Sequence, residues 1–436
     1  MSRFFIFIVL CFFTFSFASG QSPAGHDVRV HLKDYHGGKL YLGNYYGQQT
    51  YLIDSAEMDD RGTAIFKGKD TLEGGIYFIL LPEKQRYFEL LIDKDQHFSV
   101  TADTTGGFKN IVFTNSPGNV LFSEYNHFLR KEQEKTAEAE KRGDDSAVIN
   151  QLQQNAGKEI QEYRIKFLQE HPEALLSMIF RAMQDPELPA DLKDAKDSTD
   201  KALAFDYFKK HYWDHIDFAD NRIVRTPVLA TRLQRYFTQM VVPVPDSINK
   251  AADKILSKAN ANKEVFKYVL WWLTYHYETS PYMGMDAVFV HLVEKYYITG
   301  QAYWLTKDQL QKVIDRASQI APNLIGNIAP DLSLKTREMK PVSLWNVKSK
   351  YTILVFWDPT CGHCQVVVPE LDSAYEHHWK NEGVKMIGVV AGGTQDQWQQ
   401  FIKDHHMEDW VNAWDPDNST NYRRLYDVYM TPVVYL

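Results

Sequence analysis

The chain of 436 residues is too long for one ordinary hydrophobic core, and its length predicts about three domains. Hydrophobic residues at 44% and aromatics at 14% exclude a disordered polymer and predict well-filled cores, with the aromatics read as packing residues. A net charge of -8 gives no reason to expect nucleic acid or an anionic membrane surface as a partner.

Residues 1–20 read as a secretory signal peptide: Arg3 supplies a positive start, Phe4 to Phe17 an apolar run, and Ala18-Ser19-Gly20 small residues for cleavage before Gln21. The run falls short of the ~20 residues that span a bilayer, so no transmembrane segment is expected after cleavage. Leu10 before Cys11, with Phe12 and Phe13 after it, argues against a lipid anchor. The expected location is the periplasm or cell envelope. Once Cys11 leaves with the signal peptide only Cys361 and Cys364 remain, which rules out a structural disulfide framework.

Residues 21–116 are expected to form an all-β domain, an antiparallel sandwich or barrel. Strand candidates are 28–32, 39–46, 63–68, 76–81, 87–92 and 97–102, separated by glycine and Asx breakers. His26, His31, His36 and His97 are scattered, no catalytic constellation is visible, and an interaction role is the default.

Residues 117–321 read as a helical domain. Ile149, Leu152, Ala156, Ile160, Tyr163 and Phe167 form one amphipathic stripe. The charged interval Lys131 to Asp145 reads as a solvated face or exposed connection. Helices are predicted at 173–183, 198–213, 227–240, 247–259, 263–278, 286–297 and 306–318. His211 and His215 stand four apart, but Tyr212 occupies the place of a zincin glutamate and no third ligand is identifiable, so structural polar residues at a helix end are expected. Trp271, Trp272, Tyr275, Tyr277 and Tyr282 are read as helix packing, with a peptide groove as the alternative.

Residues 322–436 change to Pro and Gly punctuation. Ile353 to Trp357 is a buried strand, Asp358-Pro359-Thr360 a breaker, and Cys361-Gly362-His363-Cys364 opens a helical pattern through Val367, Val368, Leu371, Ala374 and Tyr375. Cys361 is therefore expected at a helix N-terminus, where free N–H groups and the dipole stabilise a thiolate. Cys364, one turn on, is placed to attack a mixed disulfide formed on Cys361. Half a zinc site is disfavoured because no second Cys-x-x-Cys exists. A second strand at 384–390, a crossover helix at 395–405, a short helix at 421–426 and a strand from Pro432 give a βαβ order. His377, His378, His405 and His406 are read as surface residues.

This region resembles thioredoxin-fold proteins. Cys361-Gly362-His363-Cys364 matches the redox motif, Phe356-Trp357 the aromatic pair ending the preceding strand, Pro369 the kinking proline, and Met430-Thr431-Pro432 the cis-proline segment that pairs with substrate backbone. The separation of about seventy residues and the lead Gly326 to Leu332 resemble the secreted TlpA/ResA-like branch more than thioredoxin itself. The resemblance implies an α/β thioredoxin-like domain, with Cys361, Cys364 and Pro432 in the chemistry, modulated by Gly362, His363, Trp357 and Thr431, and no cofactor. The β domain resembles the module preceding many exported thioredoxins of Bacteroidetes type. Departures are Val355, where thioredoxin has a buried aspartate, and Thr360, where it has tryptophan. The chain also stops at Leu436, four residues after Pro432, where the family continues through a strand and a helix; the expectation is an incomplete, weakened redox domain.

Two functions follow. The first is an exported thiol-disulfide oxidoreductase acting on protein disulfides or dithiols, as a reductase fed by a membrane electron donor if the TlpA/ResA resemblance holds, or as an oxidant if His363 stabilises the thiolate as in protein disulfide isomerase. The second is an envelope binding protein with an accessory redox domain.

Overall fold

The structure is a computed structural model that describes residues 25–33, 35–84, 87–103, 110–194 and 196–436. The signal-peptide segment, residues 1–20, lies outside the described residues. The chain divides into two compact units, the first running to Met240 and including Ala259–Val265, the second comprising Val241–Lys258 and Phe266–Leu436.

The first unit opens with strands β1 (His26–Lys33), β2 (Lys39–Tyr46), β3 (Gln49–Glu57), β4 (Thr63–Gly68), β5 (Gly75–Leu80), β6 (Tyr87–Ile92), β7 (His97–Asp103) and β8 (Ile111–Thr114). They form two four-stranded sheets, β4-β1-β7-β8 and β3-β2-β5-β6. Alternation explains the core: Val28, Val30, Phe66, Phe98 and Val100 of one sheet meet Leu40, Leu42, Ile79, Leu90 and Ile92 of the other, all buried. The all-β expectation holds with one correction, since β1 and β7 run parallel, pairing Val28 with Phe98 and Val30 with Val100. Two strands lacked a signal. β3 buries almost nothing, with Tyr51, Leu52 and Ile53 all exposed, and β8 is only four residues long.

Helices follow: α1 (Pro117–Arg142), α2 (Ser146–Glu170), α3 (Leu175–Met183), α4 (Ala190–Lys193), α5 (Ser198–His211) and α6 (Val228–Gln239). The charged interval is the second half of α1 and its turn into α2. Gly143, at φ 74°, closes α1 by donating to the Ala139 and Glu140 carbonyls, and Asp145 caps α2 by accepting from Ala147 N. One charged member of the interval is not solvated: Glu132 is buried and paired with Lys135 at 2.5 Å. Helices α7 (Pro245–Ala259), α8 (Lys263–Glu278), α9 (Asp286–Leu292) and α10 (Lys307–Ile320) complete the helical region, α9 running on into a π-turn over Val293–Tyr297. Of the aromatic cluster there, Tyr277 is buried, whereas Tyr275 and Tyr282 are exposed.

The second unit ends in a six-stranded sheet with order β10-β9-β13-β12-β11-β14. Its elements are β9 (Ser333–Thr336), β10 (Pro341–Ser343), β11 (Tyr351–Trp357), α11 (Cys364–Ala374), β12 (Val384–Val390), α12 (Gln395–Asp404), β13 (Val411–Trp414), α13 (Tyr422–Leu425) and β14 (Val433–Tyr435). Strands β11, β12 and β13 are parallel and β14 is antiparallel to β11. One face of the sheet packs Val355, Trp357 and Met386 against Val368, Trp398, Phe401 and Ile402. The other packs Leu354, Phe356, Ile387 and Val389 against Tyr422 and Tyr426. With helices on both faces, β11 and β12 are apolar runs without alternation, which is why both were legible.

The edge of β6 is closed by a side chain. Asn119 of α1 accepts from Leu91 N and donates to Leu91 O, each at 2.7 Å, in the manner of a neighbouring strand. Asn119 and Leu91 are both buried, so removing the amide leaves two backbone groups without partner or water. Asn119→Ala is expected to lower stability by roughly 2–4 kcal/mol, measured by urea unfolding; a loss under about 1 kcal/mol would mean that water reaches this edge.

Candidate active site

The dithiol sits where β11 turns into α11. Strand β11 ends at Trp357, and Asp358 then organises the turn: its Oδ1 accepts from both the amide and the hydroxyl of Thr360 at 2.7 Å. The carboxylate needs a neighbour without a side chain, since a Cβ on Gly392 would lie 2.0 Å from Asp358 Oδ2. Cys361 N donates to Asp358 O at 3.1 Å, and Cys361 O accepts from Gln365 N at 3.1 Å. Regular helix begins only at Cys364, so Cys361 lies in the turn at the helix mouth instead of in the first helical turn.

The two sulfurs occupy opposite environments. Cys361 keeps solvent contact, while Cys364 is 0% exposed. The Cys361 pKa is held below the ordinary thiol value chiefly by the Cys364 backbone N–H, helped by hydrogen bonding from the Thr431 side chain and from Cys364. Those free N–H groups are the unsatisfied donors of the helix start. Burial pushes the Cys364 thiol up to about 11, against a partial pull from the Asp358 N–H, which lies 3.5 Å from its sulfur. The Thr431 side chain acts on both sulfurs, and the Thr431 carbonyl accepts from the Cys361 thiol at 3.3 Å.

The remaining sequence-derived candidates fall into three positions. Thr431, joined to Pro432 by a cis peptide bond just before β14, meets Cys361 through its carbonyl. Gly362 and His363 are exposed, and the backbone N–H of His363 helps lower the Cys361 pKa. Trp357 is fully buried beneath the dithiol, with its indole N–H unpartnered. Two polar residues escaped the sequence reading. Asp372 on α11 is buried and accepts from Trp410 Nε1 at 2.7 Å, its pKa raised by burial. Asn412, two strands from Val355, turns its Oδ1 toward Gly388 while its Nδ2 donates to Met407 O. The sequence offered one usable signal, the alternation Asn412, Trp414 on β13, and nothing that tied it to β11.

Other histidine groups do not converge. Helix α5 ends at His211, whose Nδ1 bonds Asp214 Oδ2 at 2.6 Å, and His215 lies beyond the helix on the exposed turn. His377 bonds the Ser373 carbonyl and His405 packs on Phe401. Among the described residues no group of three or more His, Cys, Asp or Glu is placed to hold a metal ion.

Residues 325–435 match the family model described as AhpC/TSA family. Residues 325–435 thus form a thioredoxin-like domain that is similar to TlpA/ResA-like thiol-disulfide oxidoreductases. Residues 132–323 match a model described as Domain of unknown function (DUF5106). The thiol-disulfide oxidoreductase ResA of Bacillus cereus is 29% identical over 84 residues, 19% of this chain and 48% of that protein. The chain thus spans about half the length of the curated relatives it matches. Among solved structures, a thioredoxin-like protein from Bacteroides caccae ATCC 43185 is similar over 58% of this chain and 89% of its own, at 19% identity and a TM-score of 0.45. A domain of a possible thiol-disulfide isomerase from Cytophaga hutchinsonii ATCC 33406 is 35% identical, covering 26% of this chain and 78% of its own with a TM-score of 0.25.

The unequal sulfurs predict unequal alkylation. Because only thiolate reacts, Cys361 of the reduced chain should be carboxamidomethylated with a pH midpoint below that of a free thiol, whereas Cys364 should stay protected until the pH approaches about 11. Site-resolved mass spectrometry across roughly pH 5–10 checks this; equal labelling of the two would contradict the burial of Cys364.

Proposed function

We propose that the protein is an exported thiol-disulfide oxidoreductase that reduces disulfides of envelope proteins through Cys361 and Cys364. The observation that carries this reading is the asymmetry of the pair: a solvent-touching thiol with a depressed pKa, followed one turn later by a fully buried thiol whose pKa is raised. The Cys361 thiolate attacks one sulfur of a partner disulfide, whose other sulfur leaves as thiolate. Cys364 then loses its proton and attacks Cys361 Sγ, so the mixed disulfide breaks, the second partner sulfur is released, and two electrons have passed to the partner. Thr431 and Pro432 border the attacking sulfur, and partner backbone is read as pairing there.

The reductase direction is supported by His363. An imidazolium stacked on the sulfur would favour the thiolate and so an oxidising couple, but the ring is exposed, and it is the backbone N–H of His363 that helps lower the Cys361 pKa. Re-reduction of the Cys361–Cys364 disulfide needs an electron donor, and a membrane donor fits an exported chain. The periplasmic or envelope location is supported by residues 1–20, and among the described residues no helix is long and apolar enough to cross a membrane.

The second reading, an envelope binding protein, is favoured by one feature, the three consecutive exposed apolar residues Tyr51, Leu52 and Ile53 on edge strand β3. A thiol trap separates the two. Cys364→Ser should accumulate mixed disulfides on Cys361, and Cys361→Ala should lower insulin reduction by at least about 100-fold, in line with loss of a nucleophile. An unchanged rate in Cys361→Ala, or no trapped partner in Cys364→Ser, would remove the oxidoreductase reading and leave the binding one.

A further inference from the structure

We propose that Arg316, on the helix that precedes the redox domain, is a positioning residue for the Cys361 thiolate, acting through Asp427 on the segment that delivers Thr431. The inference rests on the reading of Cys361 as nucleophile and extends it to a residue of the helical region.

The segment between α13 and β14 has few constraints of its own. It leaves α13 at Leu425 and turns at Asp427, which takes a left-handed φ of 51°. A non-glycine residue there is uncommon, and aspartate is among the few that tolerate it. Past Val428, Tyr429 and Met430 are 60% and 82% exposed, and the next residue is Thr431, whose carbonyl meets Cys361 Sγ. The placement of Thr431 therefore depends on two anchors. One is the pairing of Val433 with Phe356 on β11. The other is the turn at Leu425–Val428.

That turn is held from two sides. Within the redox domain, Val428 N donates to Arg423 O, Arg423 donates to the Ala391 and Val428 carbonyls, and Tyr435 OH donates to Tyr426 O at 2.5 Å. From the helical side, Arg316 Nη1 of α10 bonds Asp427 Oδ1, and Asn323, just after α10, donates to Leu425 O at 2.8 Å. Arg316 thus grips the one residue of this turn whose backbone is in an unfavoured conformation. An ion pair of this partial exposure, with side chains 37% and 19% accessible, contributes little to global stability. Its location, four residues from the residue whose carbonyl meets Cys361 Sγ, gives it a different use. Thr431 meets Cys361 through its carbonyl, which accepts from the thiol at 3.3 Å, and its side chain pulls the thiol pKa down, so loosening the turn disturbs both contacts and withdraws a group that favours the thiolate. The other groups acting on that sulfur, Cys364 and the His363 backbone, belong to the helix mouth and stay in place.

The test uses the full, reduced chain and follows site-resolved alkylation of Cys361 against pH in Arg316→Ala, Arg316→Lys, Asp427→Asn and the Arg316→Ala, Asp427→Asn double variant. Arg316→Ala and Asp427→Asn should each move the Cys361 midpoint upward and slow alkylation at neutral pH by roughly three- to tenfold. The double variant should be no slower than either single one, as for two halves of one contact, and lysine should restore part of the loss. Asparagine keeps the left-handed turn, so Asp427→Asn decides the matter if Arg316→Ala fails to fold. Midpoints unchanged from the parent, or effects that add in the double variant, would overturn the proposal. Alkylation does not require turnover, so the outcome stays separate from insulin reduction by Cys361→Ala, which tests the catalytic reading alone.

Discussion

Cys364 has no contact with water, and most of the redox domain can be understood as the means of keeping it so while leaving Cys361 at the rim. The sulfur lies among Val355, Trp357, Val368 and Met386 on one face of the sheet. Those side chains are packed because β11 is interior, paired with β12 on one side and β14 on the other, and because helices cover both faces. A sulfur three residues earlier escapes this burial only because the chain spends Asp358, Pro359 and Thr360 on a turn before the helix begins. The carboxylate of Asp358 closes that turn on Thr360, and Gly392 leaves the room it needs. Strand, turn and helix mouth therefore set both thiols at once: free N–H groups lower one and desolvation raises the other.

How much of this was readable in advance follows from where burial writes a pattern. Strands β2, β4 and β6 were legible to the residue because their alternation or apolar runs face a core, and α8 because its apolar positions recur at helical spacing. Strand β3 was not, since of its nine residues only Ala56 packs against the core and the strand is held by backbone pairing to β2 across a register shift at Gly43. The parallel pairing of β1 with β7 was also invisible, being a matter of sheet topology between segments about seventy residues apart. In the redox domain, β9, β10 and β13 are short additions whose sequences carry too few apolar positions to announce them. The dithiol was plain from spacing, but its start of helix was three residues early, because a Cys-x-x-Cys pattern does not reveal that Asp358 and Thr360 hold the first cysteine in a turn. The Arg316 to Asp427 contact joins residues 111 apart and has no local signature at all.

The helical region gains a physical role from that contact. Helix α10 carries Arg316, and the turn after it carries Asn323; both reach the backbone or side chains of the segment leading to Thr431. Within the second unit, then, the elements before the thioredoxin-like domain are attached to it at the segment that leads to Thr431, whose carbonyl meets Cys361 Sγ. A change in how α10 packs is carried by a short covalent path to the thiolate, since only Val428, Tyr429 and Met430 separate Asp427 from Thr431.

The route of the proton from Cys364 follows from the polar groups that line the buried side. Val355 stands where thioredoxin carries an acid, and along the same row of the sheet come Gly388, its direct partner, and Asn412. The space over Gly388 is bordered by Trp357 Nε1, 3.0 Å from the position of a Cβ, and Asn412 Oδ1, 3.4 Å from it. An indole and an amide can hydrogen-bond but neither takes up a proton near neutral pH. The buried carboxyl of this face, Asp372, is turned to Trp410 and engaged there. What acts on the Cys364 sulfur is burial, the Asp358 N–H, the Thr431 side chain and Cys361. On the proposed mechanism the proton leaves on the Cys361 side, to the departing thiolate of the partner or to water at the rim, and its departure is coupled to the presence of a mixed disulfide. Burial favours the protonated Cys364 thiol, which suits the proposed order of events, in which Cys364 acts only after a partner is attached.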